Sequence, residues 1–275
     1  MLLATFWFAC MNVIVKMLAH LPTMELVFFR CGIAAFIGWY LLRKNKINWW
    51  GRNRKLLILR GLFGTLALYT FFFTLQRMPL GTAVTIQYLS PFFTSFLAVF
   101  ILKENMRPIQ WVWFALSFSG VLLIKGFNAS VSWWLLCLGI ASAILSALAY
   151  NMVRVLREKE HPLVVVLHFQ LFGWVAGAGF SLYDFRMPEG LEWALLLLMG
   201  LFTQWGQENL TRSLQAEPAN KVTILNYTGV LYAMGFGYLL FGESYGWPEL
   251  MGTLLVVAGM ALNILSENSK RRASL

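Results

Sequence analysis

The sequence predicts an all-α integral membrane protein, with ten transmembrane helices arranged as two inverted five-helix repeats. Three observations predict it. Hydrophobic residues make up 59% of the chain and charged residues only 12%, where soluble domains carry about 25% charged residues; the mean hydropathy is +0.66. The chain also repeats itself at a spacing of 139 residues without a gap. Gly61-Leu62-Phe63 returns as Gly200-Leu201-Phe202, and Leu75, Gln76 and Pro79 as Leu214, Gln215 and Pro218. Tyr88 returns as Tyr227, Glu104 as Glu243, and Gly120 as Gly259. Finally, each copy holds an odd number of apolar helix-length segments, so the second copy must cross the bilayer in the opposite sense.

A hydrocarbon core of ~30 Å takes about 20 helical residues. The candidate spans are 3–19, 24–42, 57–75, 81–102 and 108–125, then 133–153, 161–183, 191–211, 218–241 and 247–266. They divide the chain into a first repeat at 1–127, a second at 128–268 and a basic cytoplasmic tail at 269–275. Pro22, Pro79, Pro108, Pro162, Pro218 and Pro248 mark boundaries; in the first turn of a helix a missing N–H costs little. Residues 43–56, rich in Lys, Arg, Asn and Trp, read as an interfacial loop with Trp49 and Trp50 at headgroup depth.

Charge tests the count. With the N-terminus in the cytoplasm, seventeen basic residues fall on the inner side, among them Arg43, Lys44, Lys46 and Arg60, and four on the outer side, Lys16, Arg77, Lys125 and Arg186. Only Arg30 is left within a span. That is the positive-inside pattern. Equivalent loops differ in character between the copies: basic 43–60 corresponds to a loop carrying Asp184, Glu189 and Glu192.

The same reading excludes several classes. The net charge of +10 sits at span ends and not on a soluble face, which argues against nucleic acid. Cys10, Cys31 and Cys137 lie in apolar runs with no metal or redox spacing. His20, His161 and His168 are scattered, so no metal site, catalytic constellation or cofactor is expected. No phosphate-binding G-x-x-x-x-G-K-[ST] motif is present. The first span follows Met1 directly, without the basic lead-in of a cleavable signal.

Several motifs resemble the drug/metabolite transporter superfamily, specifically its ten-helix EamA-type members. They are Asn12-Val13-Ile14-Val15-Lys16, Glu25-Leu26-Val27-Phe28-Phe29-Arg30, Ser90-Pro91 in the fourth span, and Leu102-Lys103-Glu104 with its echo Phe241-Gly242-Glu243. The resemblance covers nearly the whole chain. It implies a secondary transporter of a small organic solute (nucleoside-like, flavin-like or amino-acid-derived) working by alternating access in a bacterial inner membrane, with both termini cytoplasmic. Its partners would be that solute, the lipid bilayer, and a coupling proton or counter-solute; a homodimer stays open. An integral-membrane enzyme and a non-transporting sensor or scaffold are the other classes. In the second copy Val230 stands where Pro91 does, so a break in the fourth span need not recur in the ninth.

Polar residues inside spans are the candidate solute-binding set. Arg30 reads either as a binding or gating cation or as a structural arginine satisfying carbonyls. Glu208, with Gln204, Gln207 and Asn209 around it, could bind an amine, take up a proton, or pair with Arg212. Gln87-Tyr88 and Asn226-Tyr227 are the same amide–aromatic pair in both copies, a candidate for symmetric cavity lining. Tyr69 corresponds to Glu208 and could supply an opposing wall. His168 could titrate near neutrality or be a satisfied bundle histidine. Trp205, with Phe71-Phe72-Phe73, would give aromatic faces to a planar amphiphile. Asn12 and Asn151 are equivalent positions suited to interhelical hydrogen bonds, and Glu104 and Glu243 to anchoring helix ends. Small residues at every fourth position (Ser90, Thr94, Ala98; Gly229, Ala233, Gly237; Gly139, Ala143, Ala147; and Gly173 with Gly177) suit close helix contact in lipid.

Overall fold

A computed structural model describes residues 2–101, 103, 108–127, 131–157, 159–216 and 228–273. The first half holds α1 (Leu2–Met17), α2 (Thr23–Lys44), α3 (Arg54–Arg77), α4 (Leu80–Gln87), α5 (Ser90–Ile101) and α6 (Pro108–Phe127). The second holds α7 (Trp133–Leu156), α8 (Pro162–Ser181), α9 (Glu192–Ala216), α10 (Thr228–Phe241) and α11 (Trp247–Ala273). No strand occurs among the described residues. Six stretches of those residues are long and apolar enough to cross a membrane: Thr23–Lys44, Arg54–Arg77, Leu80–Ile101, Pro108–Lys125, Trp133–Leu156 and Pro162–Ser181.

The starts follow local chemistry. Pro22 and Pro79 stand immediately before α2 and α4, and Pro108 and Pro162 open α6 and α8. Ser132 Oγ accepts the Leu135 N–H at 3.2 Å and caps α7. The fourth span is not one helix. It breaks at Tyr88-Leu89, between α4 and α5. Pro91 causes the break: it has no N–H to return to the Gln87 carbonyl, and its ring disfavours the helical conformation just before it. The corresponding residues 218–227 of the second copy lie outside the described residues.

The helices pair in a pattern that survives exchange of the two halves. In repeat register, α7 matches α1, α8 matches α2, α9 matches α3, α10 matches α4–α5, and α11 matches α6. The packed pairs α3–α7 and α1–α9 interchange, as do α3–α8 with α2–α9, and α5–α7 with α1–α10. The pairs α2–α8, α6–α11 and α4–α10 map onto themselves. A two-fold axis therefore relates the halves.

Polar contacts between loops fix the sense of that axis. The basic loop 45–53 lies against the α7–α8 turn, where the Glu160 carboxylate accepts the N–H groups of Arg52 and Asn53 just before α3. The acidic loop 182–191 lies against the α1–α2 turn. There Arg186 donates its backbone N–H to Glu25 at 3.0 Å and its side chain to the His20 carbonyl at 3.1 Å, and His20 meets Glu192 at 2.6 Å. These two neighbourhoods sit at opposite ends of the 22-residue α2. Equivalent loops occupy opposite faces, so the repeats are inverted. Exposed Trp50 at the basic face, and Trp133, Trp134 and Trp247 at the acidic face, form the aromatic belts of an interfacial protein.

The main core runs through both halves, from Val13 and Leu26 to Phe72, Leu89, Phe169, Val230 and Met260. A smaller cluster around Leu42, Leu57, Leu156 and Val164 closes the basic end.

Candidate functional site

The centre of the bundle is built on α2, α3 and α8. Arg30 on α2 is 3% exposed. Its Nε points at Met11 Sδ (3.3 Å) and its Nη1 at Cys31 Sγ (3.7 Å), and its guanidinium lies 5.6 Å from the Phe72 ring and 5.9 Å from the Phe169 ring. The sulfurs are weak acceptors, and no described carbonyl takes a hydrogen bond from it.

Arg60 corrects the charge count. It belongs to α3 and is buried, although its position suggests a cytoplasmic end charge. Its side chain runs into the bundle. Nη1 sits 2.1 Å from where a Cβ on Gly64 would be, so only a bare glycine leaves room for it. The guanidinium then lies 4.4 Å from the Phe169 ring, the same ring that Arg30 meets. A snorkelling arginine would extend the other way, toward the interface.

At the α4–α5 break, Gln87 Nε2 donates to Ser146 Oγ at 2.7 Å, and Ser142 Oγ donates to Gln87 Oε1 at 3.0 Å. The Gln87 amide therefore ties the broken helix to α7. Tyr88 is half-buried, with its hydroxyl 2.2 Å from the Cβ position of Gly229 on α10. Beside it Thr5 and Thr228 hydroxyls meet at 3.1 Å, linking α1 to α10.

The remaining candidates are dispersed. His168 is half-buried, and its Nδ1 faces the Val164 carbonyl one turn back at 2.9 Å. Tyr69 is half-buried on α3 beside Phe73. Gln204 is 3% exposed, with Oε1 unpartnered. Trp205 is exposed and packs with Trp7 and Phe202, ring centroids 4.9 and 6.0 Å away. Glu208 is half-buried on α9. Asn226 and Tyr227 lie outside the described residues. Matched orphan groups recur across the axis: Asn12 and Asn151 each leave Oδ1 unpartnered, as do Thr65 Oγ1 and its register partner Gln204 Oε1.

A second constellation closes the acidic face. Lys16 pairs with Glu243 and donates to the Met78 carbonyl at 2.6 Å. Both Glu243 oxygens accept the Leu80 N–H (2.9 and 2.8 Å), capping α4. Tyr245 donates to Glu243 at 2.6 Å. Burial, followed by the Glu243 carboxylate, pushes the Tyr245 phenol above its ordinary range and keeps it a neutral donor. Bare Gly237 leaves room for both groups. This latch joins the ends of α1 and α10 to the start of α4.

Comparisons with known proteins agree with this architecture. The model of the EamA-like transporter family matches residues 1–126 and again 133–265.

The chain belongs to the EamA-like transporter family.

The pseudopaline exporter CntI of Pseudomonas aeruginosa is 31% identical over 268 residues, covering 95% of this chain and 93% of that protein. Solute carrier family 35 member G1 of Homo sapiens is 28% identical, covering 98% and 80%. A crystal structure 17% identical superposes with a TM-score of 0.66 over 98% of each chain, which establishes the shared fold. This EamA-like chain is therefore a multi-pass membrane transporter rather than an enzyme. Two of its site residues were not identified from sequence. Position alone puts Arg60 at a helix end; Gly64 four residues on is the signal in the sequence that its side chain can turn inward. Lys16 finds its partner 227 residues away, and nothing local signals that.

Proposed function

We propose that the chain exports a small organic metabolite by alternating access across a bacterial inner membrane, with the repeats 1–127 and 128–268 as the units that move and the termini and the basic tail in the cytoplasm. One observation carries the proposal: the most extensive helix pairings between the halves survive their exchange. Two inverted halves of the same fold can trade conformations, and the trade moves an opening from one face to the other around a fixed midplane site. Helix α4–α5, broken at Tyr88-Leu89, supplies the discontinuous backbone typical of such sites. The export direction follows the relative described as a pseudopaline exporter. Coupling is to a proton or a counter-solute, and the proton would ride on the carboxylate of Glu208, which is half-buried on α9.

Two results are expected. Purified protein in liposomes loaded with a cell metabolite extract will accumulate at least one labelled metabolite by counterflow, and strict absence of exchange for every pool would remove the proposal. Glu208→Gln will keep counterflow but lose the pH dependence of net transport at least tenfold. An unchanged pH profile would transfer coupling to a counter-solute.

A further inference from the structure

Arg30 and Arg60 pose a physical problem. Each guanidinium offers five N–H donors and a permanent charge. Each side chain is more than nine-tenths buried, at 3% and 8% exposed. At membrane depth a bare charge is costly and normally finds a carboxylate or carbonyls. Here the partners are two sulfurs and two aromatic rings. Arg60 Nε has no partner, and among the described residues no carboxylate reaches either arginine. The two charges share one ring, Phe169, and repel each other.

The surroundings are also unsatisfied. Thr65 Oγ1, one turn and a residue beyond Arg60, is buried without a partner. It faces bare Gly173 of α8, where the Cβ position lies 3.7 Å from Thr65 Oγ1 and 2.5 Å from Cys31 Sγ. Gln170, on the same helix stripe as Gly173 and Gly177, leaves both amide atoms unpartnered at 0% exposure. Tyr150 of α7, which is exposed, lies within electrostatic range of both arginines.

We infer that Arg30 and Arg60, converging on Phe169, are the receptor for a carboxylate of the transported solute, so the chain carries a small organic anion. The inference rests on the transport reading above and names its substrate class. A carboxylate between the guanidiniums supplies four acceptor sites, relieves their repulsion and matches the planar fork of arginine. Thr65 and Gln170 would donate to its remaining oxygens or to a hydroxyl beside it.

The test compares wild type with Arg30→Met and Arg60→Met in detergent, by thermal unfolding. Each is measured alone and with succinate, citrate, succinamide or inorganic phosphate at matched ionic strength. Wild type will show a saturable rise of about 2–4 °C or more with the carboxylates and none with succinamide. Both variants will lose that response, and without anion they will unfold at or above the wild-type temperature, because removing an unpaired buried charge is neutral or stabilising. Variants less stable than wild type without anion would overturn the inference and make the arginines structural. A response to phosphate alone, or an equal response to succinamide, would overturn the carboxylate assignment. Counterflow separates the two levels: carboxylate binding without any exchange sinks the transport reading, and exchange of neutral solutes untouched by Arg30→Met sinks this one.

Discussion

Glu243→Ala should unlock the acidic face. The carboxylate caps α4, neutralises Lys16 and accepts Tyr245 at once. Removing it strands an ammonium whose side chain is only 15% exposed and leaves the Leu80 N–H unpaired. Breaking such a pair costs about 3–5 kcal/mol. If α1, α4 and α10 must separate for that face to open, the cost falls on the closed state alone, and the open fraction rises on the order of a hundredfold or more. The measurement is impermeant maleimide labelling of a cysteine placed at Thr82, which is 3% exposed in this state. Labelling should be fast in Glu243→Ala and slow in the parent, while folded yield stays measurable. Slow labelling in both would mean that the latch holds a helix end without gating. The opposite face cannot build the same pair, because Val155 holds the register position of Lys16. On the alternating-access proposal, the two faces would then be closed by different chemistry.

How far the sequence carries can be judged residue by residue. Prolines located helix starts because a missing N–H is cheap only there, and the charge contrast between loops located the inversion because lipid permits few charges elsewhere. Pro91 signalled the broken span for the same backbone reason. Side-chain direction was another matter. A charge six residues inside a helix can extend toward the interface or toward the bundle. For Arg60 the choice was made by the bare face of Gly64 and the ring of Phe169, which comes from the other repeat. Gln87 read as cavity lining, yet both ends of its amide are engaged by Ser142 and Ser146, 55 and 59 residues away. Long-range partners of this kind leave no periodic trace. Nor does sequence alone show that the His168 ring meets the carbonyl one turn back on its own helix.

Gly120→Leu should cost most of the folded protein. Gly120 and its repeat partner Gly259 face each other's helices at the α6–α11 contact, where the backbones touch. A Cβ on Gly120 would stand 2.5 Å from the Gly252 carbonyl oxygen, and one on Gly252 would stand 2.6 Å from the Gly120 carbonyl oxygen. The obstacle is main chain, which cannot rotate away as a side chain can. In lipid no water-driven force compensates, since tight contact itself holds the helices. Overpacking typically costs about 1–3 kcal/mol for smaller insertions, and leucine adds four carbons here. Ser117 would lose its 3.4 Å approach to the Val256 carbonyl as the helices part. Gly235, with nothing within 4 Å of its Cβ position, is the internal control: Gly235→Ala should leave yield unchanged or raise stability by up to about 1 kcal/mol. Fluorescence-detected size exclusion of the two variants checks both, with Gly120→Leu falling several-fold or more in monodisperse protein. Equal yields would mean that α6 and α11 are not a fixed pair, which would leave the α3–α7 and α1–α9 contacts as the fixed packing between the repeats.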